Sequence, residues 1–397
     1  MFETNQGLRV KVVRFGGGER CPAVVDANGM LVHDPNVYAM LRLRSQECAS
    51  NTMEAHLRAI VIACNWAASR GIDLRERVAS LDLLSSAEMF DLRDSLRENR
   101  REGGVVASAT YYNRCHFVRD YLAWLARAAI QRISVADPKL PEARQRLEWF
   151  ERAMVAGLPK GGSPEREGVD ENVQLAFREA ITPGSPSNPF QAGHQHRNQA
   201  LLHLYWETGL RRGEALKIKG EHLIGLPGPT PVLRVLRDPD AADDARRTQP
   251  AVKTLPRDLE ISPYLGNLLY DWVVKHRTDG KRYPGAKRTP YVFVSRSGQP
   301  LALRTVNDMF ELLRERVPGM PDNFSPHILR HTSNDRFSEA SDAQGLNEAE
   351  EKQARNYVMG WTKTSNQGDR YTRRHTRKRA AEVVQRMQEA SVKGQNR

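Results

Sequence analysis

Cysteine is scarce in this sequence, which has four in 397 residues, all in the first half: Cys21, Cys48, Cys64 and Cys115. None of them forms a Cys-x-x-Cys pair. A disulfide-based scaffold is therefore disfavoured, because such scaffolds depend on many paired cysteines. We expect a reduced, cytoplasmic protein whose thiols are buried.

Long apolar segments are also missing. No stretch reaches the length of about 20 residues that is needed to cross a bilayer. The amino-terminal "MFETNQGLRVKVVRF" lacks the apolar core of a signal peptide. We therefore expect no membrane partner.

Acidic residues are outnumbered by basic ones. The chain has 48 Asp and Glu against 60 Lys and Arg, a formal net charge of +12. An excess of this size is typical of proteins that bind a polyanion, most often nucleic acid. Charge alone does not decide the matter, since many basic proteins bind no nucleic acid.

What is present predicts more than one domain. The composition is 40% hydrophobic and 27% charged, as in ordinary globular proteins. Residues 1–33 alternate polar and apolar around Gly-containing turns, which predicts a short β-hairpin. Helical spacing over 34–157 predicts an all-α domain, and the Gly-, Pro- and charge-rich residues 158–170 predict a linker. The helical region holds two candidate capping boxes, Asn51–Glu54 and Ser85–Glu88.

Residues 171–397 predict a larger domain that is mainly α with a small antiparallel β-sheet. Alternating residues predict strands within 231–262 and at 291–295. The small and acidic residues at 338–350 predict a loop. The fold class is thus α+β for this domain, preceded by the all-α domain and the β-hairpin.

Three side chains that suit a phosphate follow Pro326: His327, Arg330 and His331. Proline is favoured in the first turn of a helix, so a helix is expected to begin there. His327 and Arg330 would then lie on adjacent turns, with donors that match phosphate oxygens. Downstream, Tyr371 stands among arginines, where a phenol can attack phosphorus.

These residues also have plainer interpretations. A tyrosine in a basic segment is usually a surface residue. His327 and His331, four positions apart, have the spacing of a zinc site. The glutamate of the His-Glu-x-x-His motif is missing and no third ligand is evident, so we expect no metal.

Order and co-occurrence favour one interpretation. "SPHILRH", then Gly360-Trp361, then Tyr371 resemble the second signature of the tyrosine recombinases, the phage integrase family. The earlier "TGLRRGE" resembles the first signature. The gap from Trp361 to Tyr371 is 371 − 361 = 10 residues, one longer than is usual in the family. The resemblance covers the C-terminal half by its motifs and the N-terminal half by architecture alone.

The resemblance implies that two arginines bind the scissile phosphate, that a tyrosine attacks it, and that a histidine and a lysine on a β-hairpin move protons. The catalytic residues it points to are Tyr371, Arg211, Arg330, His327, Lys253 and Trp361. Glu214 would orient a catalytic arginine, with His331 beside the site. Weaker contacts with DNA are expected from Arg212, Lys281, Arg282, Lys287, Arg288, Arg114, Arg370 and Arg373. The plainer interpretations are a helix salt bridge for Glu214 and a surface lysine for Lys253.

The function implied by the resemblance is site-specific recombination or integration of double-stranded DNA through a 3′-phosphotyrosyl intermediate. Residues 34–157 would close on the DNA as a core-binding domain, opposite the catalytic domain at 171–397. Inverted-repeat sites, assembly as a dimer or tetramer on DNA, no cofactor and a cytoplasmic, nucleoid-associated location are expected. Two alternatives stay open: a non-catalytic DNA-binding protein on the same fold, and a type IB topoisomerase.

Overall fold

The computed structural model describes residues 7–99, 103–159, 167–370 and 373–395. The chain divides into two compact units, with the boundary between residues 164 and 165. This boundary falls inside the segment 158–170 that its Gly, Pro and charge content marks as a linker. Of the helices in the described ranges, none is both long and apolar enough to cross a membrane.

The first unit begins with the antiparallel hairpin expected at the amino end. Strands β1 (Arg9–Arg14) and β2 (Arg20–Val25) pair along their full lengths. β2 is buried throughout and packs on helix α2 (Ser50–Ser69). β1 leaves its charged side chains in solvent. Both strands of the hairpin contact α2, and β2 is the more deeply buried of the two.

Helices form the rest of this unit: α1 (His33–Tyr38), α2, α3 (Leu74–Ala79), α4 (Ser86–Arg97), α5 (Ser108–Ile130) and α6 (Lys139–Ala153). α5 packs on α2, α3, α4 and α6, and its residues at helical spacing are buried. The Ser85–Glu88 capping box forms as predicted. The box at Asn51–Glu54 was wrong, because α2 begins at Ser50 and Asn51 is already inside the helix.

The second unit holds α7 (Glu171–Ala180), α8 (Gln195–Thr208), α9 (Arg212–Leu216), α10 (Pro263–Asp271), α11 (Leu303–Arg316), α12 (Pro326–Ala343), α13 (Glu348–Met359) and α14 (Arg373–Gln395). Its sheet has three antiparallel strands in sequence order: β3 (Leu223–Ile224), β4 (Val232–Val235) and β5 (Arg257–Glu260). α8 is buried on nearly every side and packs against α9, α10 and α12. The fold is mainly α with small antiparallel sheets, as expected.

Two local predictions in this unit were wrong. Residues 291–295 form isolated bridges, Lys219 with Tyr291 and Val294 with Pro300, and no strand. Their apolar run reflects burial in the core, which does not by itself require pairing along a strand. Most of 338–350 is helical, because α12 continues to Ala343 and an Asn347 cap then starts α13.

Candidate active site

Glu214 lies at the centre of a buried cluster of charged side chains. Gly209 ends α8 at φ +61°, and Arg211 then caps the short α9. The backbone N–H of Arg211 donates to Glu214 Oε2 at 2.5 Å. The other carboxylate oxygen accepts from the Thr254 hydroxyl and, at 3.0 Å, from Arg257 Nη1. Glu214 therefore joins the "TGLRRGE" segment to the segment around 254–257.

The carboxylate is stabilised in its charged form. Burial acts to raise the pKa of Glu214, whereas the charges of Arg257 and Arg330 act to lower it. The hydrogen bonds from Thr254 and the Arg211 backbone act in the same direction, so the pKa lies below its ordinary value. Glu214 is thus an anion held between guanidinium groups, and the interpretation as an isolated helix salt bridge does not describe it.

Arg330 connects the ends of two helices. α12 begins at Pro326 behind a Ser325 cap, as predicted, and carries Arg330 into the interior at 1% exposure. Its Nη1 donates to the Gly209 carbonyl at 2.7 Å, and its Nη2 donates to the Met359 carbonyl at 3.0 Å. Nη1 also lies 4.0 Å from Glu214 Oε2. Both predicted signatures thus meet at one guanidinium.

The indole of Trp361 packs on that guanidinium, and two imidazoles lie on the same helix as Arg330. His327 and His331 pack edge to face, with ring centroids 4.9 Å apart. His327 is half-buried and His331 is buried. The Trp361 ring lies under Arg330, with the guanidinium carbon 5.3 Å from the ring centroid. Among the described residues, no group of three or more His, Cys, Asp or Glu is arranged to hold a metal ion.

Gly360 brings Trp361 to this position. It ends α13 with φ +67°, a left-handed conformation that favours glycine. Its carbonyl accepts from the Leu255 backbone N–H at 2.9 Å. A Cβ there would overlap Arg257 Nη1 and come within 2.8 Å of Thr254 Cβ. The backbone at Gly360 therefore packs directly on the 254–257 segment.

Lys253 is exposed and lies in the loop before β5, four residues short of the strand. The strand predicted around Lys253 was wrong, because only residues 257–260 pair with β4, and Lys253 lies in the connection between β4 and β5. Its neighbours are fixed nevertheless. The Ala251 carbonyl packs on Gly213, where a Cβ would overlap it, and the Thr254 hydroxyl reaches Glu214. The Lys253 backbone thus lies beside α9.

Tyr371 lies outside the described residues, as do the side chains of Arg370 and Arg373. The segment that leads to Tyr371 is attached to α13. Asn356 Nδ2 donates to the carbonyls of Lys363 and Ser365, at 3.1 and 3.2 Å. A turn of 3₁₀-helix follows at Gln367–Arg370. Residues 362–370 after Trp361 are therefore a loop and a 3₁₀ turn, and both contact α13.

The weaker candidates for DNA contact are dispersed. Arg212 donates to the Asn307 side chain on α11. Lys281 and Arg282 are exposed and line a cavity of about 520 Å³ together with Arg296. Lys287 and Arg288 lie in an exposed 3₁₀ turn nearby. In the first unit, Arg114 donates to the carbonyls of Leu96 and Glu98, at 2.8 and 3.0 Å, so it also holds the end of α4.

Arg257 and Thr254 are residues of this cluster to which sequence reasoning assigned no role. A signal for Arg257 was present. It shares a strand face with Leu259, because alternate residues of a strand point to the same side. An arginine at an inward position needs a buried partner. That its partner is Glu214 was not visible, since the two are 43 residues apart.

Part of the chain matches a known family model, and several solved structures are similar to the chain. Residues 187–375 match the model of the phage integrase family. The comparison with curated proteins finds no match. Solved structures similar to the chain include the XerH site-specific recombinase bound to palindromic difH substrate, at 14% identity and a TM-score of 0.45, with 84% of this chain and 97% of that chain covered.

Two further solved structures are of the same kind. The Tn1549 transposon integrase in complex with transposon right end DNA is 18% identical, with a TM-score of 0.46, and the match covers 79% of this chain and 93% of that chain. The XerA recombinase is 15% identical, with a TM-score of 0.37, and the match covers 86% of this chain and 94% of that chain.

Proposed function

Because residues 187–375 are a domain of the phage integrase family, we propose that this protein is a site-specific DNA recombinase. It cleaves and rejoins DNA strands through a 3′-phosphotyrosyl intermediate. Its substrate is double-stranded DNA with inverted-repeat sites, on which it assembles as a dimer or tetramer. It acts on DNA in the cytoplasm, at the nucleoid.

The observation that carries this proposal is the convergence of distant segments on Glu214 and Arg330. The two signatures and the loop of Lys253 meet there within hydrogen-bond distances. Nη1 of Arg211 is buried and makes no hydrogen bond to any residue in the described ranges. A buried N–H without an acceptor is destabilising, and a phosphate oxygen would satisfy it.

The chemistry assigned to these residues is a transesterification. The Tyr371 oxygen attacks the phosphorus in line, the bond to the 5′ oxygen breaks, and a phosphotyrosyl bond replaces it. Arg211 and Arg330 stabilise the charge that builds on the non-bridging oxygens. His327 takes the phenolic proton, and Lys253 gives a proton to the leaving oxygen.

Trp361 and Glu214 support this arrangement but form no covalent bond to the DNA and transfer no proton. Trp361 forms a wall beside Arg330 and offers its indole N–H to the phosphate. Glu214 fixes the turn that presents Arg211. Reversal of the same steps by a 5′ hydroxyl rejoins the strand. The bond energy is kept in the phosphotyrosine, so the reaction needs no cofactor.

The test is a trapped covalent adduct. The substrates are nicked duplexes tiled across the DNA that flanks the gene. Cleavage beside the nick releases a short fragment, and its loss removes the 5′ hydroxyl that would rejoin the strand. The protein therefore stays attached to the site it cuts. We expect a denaturant-resistant adduct with the wild type and none with Tyr371→Phe. Tyr264→Phe is the matched control, because Tyr264 is an exposed tyrosine of α10, and it should form the adduct normally.

Two outcomes would overturn the proposal in different ways. Specific binding of a duplex without any adduct indicates a non-catalytic DNA-binding protein. Relaxation of supercoiled plasmid without a preferred site, and without strand exchange between duplexes, indicates a topoisomerase.

A further inference from the structure

The Arg257 side chain makes four hydrogen bonds, which join three segments of the site. Its Nη1 donates to Glu214 at 3.0 Å and to the Thr254 hydroxyl at 3.2 Å. The same nitrogen lies 3.3 Å from the Leu255 carbonyl. Its Nε donates to the Val358 carbonyl at 2.7 Å. One side chain thus binds the loop after Lys253, the α9 carboxylate and the end of α13.

The backbone and the side chain of Arg257 are both held in place by the surrounding structure. Arg257 is rooted in β5, where it pairs with Val235 of β4, so its backbone is fixed by the sheet. Its side chain is almost fully buried, and the Gly360 backbone packs closely against it, since a Cβ at Gly360 would overlap Nη1. The planar fork of arginine can reach several acceptors at once, which a lysine cannot do.

Arg257 also holds the loop that carries Lys253. Lys253 itself is exposed, and its own side chain is long and flexible. The next two residues, Thr254 and Leu255, are the ones that Arg257 binds. A general acid acts only from within reach of the leaving oxygen, so the backbone beneath it has to be fixed.

We propose that Arg257 is a positioning residue that fixes the Lys253 loop between α9 and α13 for protonation of the leaving 5′ oxygen. This inference rests on the proposed function. Removing the guanidinium releases Thr254 and Leu255 and leaves Lys253 poorly placed. The effect should resemble loss of Lys253 itself and should be smaller, about 10–100-fold in cleavage rate, as is common when a supporting residue is removed.

A change of leaving group distinguishes a misplaced general acid from a damaged phosphate site. In a duplex whose scissile 5′ oxygen is replaced by sulfur, the departing group is a thiolate, which leaves without taking a proton. Cleavage of this substrate therefore does not need the ammonium of Lys253. A variant whose only defect is a misplaced general acid recovers on it, whereas a variant with a damaged phosphate site does not.

The experiment measures single-turnover cleavage of the oxygen and sulfur versions of the duplex that forms the adduct. Lys253→Ala and Arg257→Met should both be slow on the oxygen substrate and close to wild type on the sulfur substrate. Arg257→Lys should recover part of the rate on oxygen. Arg197→Met is the control for loss of a buried arginine, since Arg197 binds Asn198 and the Val294 carbonyl, and its behaviour should not depend on the leaving atom.

The outcomes distinguish the two levels of the proposal. If the wild type cleaves neither substrate, the recombinase function fails. If Lys253→Ala recovers with sulfur and Arg257→Met does not, the recombinase survives and the positioning role of Arg257 is wrong. Arg257 then acts on the phosphate through Glu214 and Arg330, or on folding alone, and a thermal melt that matches Arg197→Met indicates folding.

Discussion

At the scale of single residues, Glu214 does the most to join the cluster. Glu214→Gln removes a buried negative charge and leaves Arg257 and Arg330 facing each other across a neutral amide. We expect a loss of about 3 kcal/mol in the free energy of unfolding, because one partner of a buried ion pair is removed. Chemical denaturation followed by circular dichroism measures it.

The pH dependence follows from the direction of the pKa shift. The pKa of Glu214 is lower in the folded chain than its ordinary value of 4.5. Its charge therefore stabilises the fold above that pH, and the stabilisation is lost as the pH falls through the folded pKa. The difference in stability between wild type and Glu214→Gln should shrink on acidification. A difference that stays constant with pH would contradict this account.

Asp244→Asn is the matched control for Glu214→Gln. Asp244 is also a fully buried carboxylate, but it is paired with Arg246 and Lys217 and with neither Arg257 nor Arg330. Both variants should be destabilised. Only Glu214→Gln should lower the cleavage rate of the folded fraction.

At the scale of secondary-structure elements, the ends of the helices place the site. Gly360→Ala forces an L residue into a left-handed turn, which costs about 1–2 kcal/mol, and also pushes a methyl group into Arg257 and Thr254. We expect a large loss of cleavage together with the loss of stability. Adduct formation and a thermal melt on the same preparation measure the two effects.

Gly345→Ala is the control that introduces the same backbone strain as Gly360→Ala without its clash with neighbouring side chains. Gly345 follows α12 with φ +70°, and a Cβ there would meet no atom within 4 Å. It should lose similar backbone stability and keep its cleavage rate. Equal cleavage by both variants would show that the packing of Gly360 on Arg257 has no bearing on the reaction.

At the scale of the whole molecule, the net charge of +12 predicts salt-dependent binding of DNA. If the exposed Lys281 and Arg282 each contact a phosphate, replacing both with alanine should reduce the slope of log K against log salt by about 2. Fluorescence anisotropy with a duplex of arbitrary sequence, over a series of salt concentrations, measures the slope.

Lys275→Ala is the control for that charge removal. Lys275 is an exposed lysine that already pairs with Asp271 at 2.7 Å. Its removal should change the slope much less. An unchanged slope in the Lys281/Arg282 double variant would place this loop away from the DNA backbone.

The sequence by itself determined the features that depend on short stretches of chain. Pro326 starts α12 and Gly209 ends α8, since proline and glycine restrict or free the backbone locally. The order of the two signatures and the excess of basic residues could also be read from the sequence alone. The loop predicted at 338–350 shows where local reasoning fails. Small and acidic residues form a helix there, because the helix is packed and capped.

Only the tertiary structure decided which distant residues meet. Arg330 binds the carbonyl of Gly209 across 121 residues, and Arg257 binds Glu214 across 43. No local propensity encodes such pairs, because each arginine has many carboxylates and carbonyls to choose from along the chain. Packing of the helices and the sheet brings these partners into one buried cluster, where a charge without a partner is strongly destabilising.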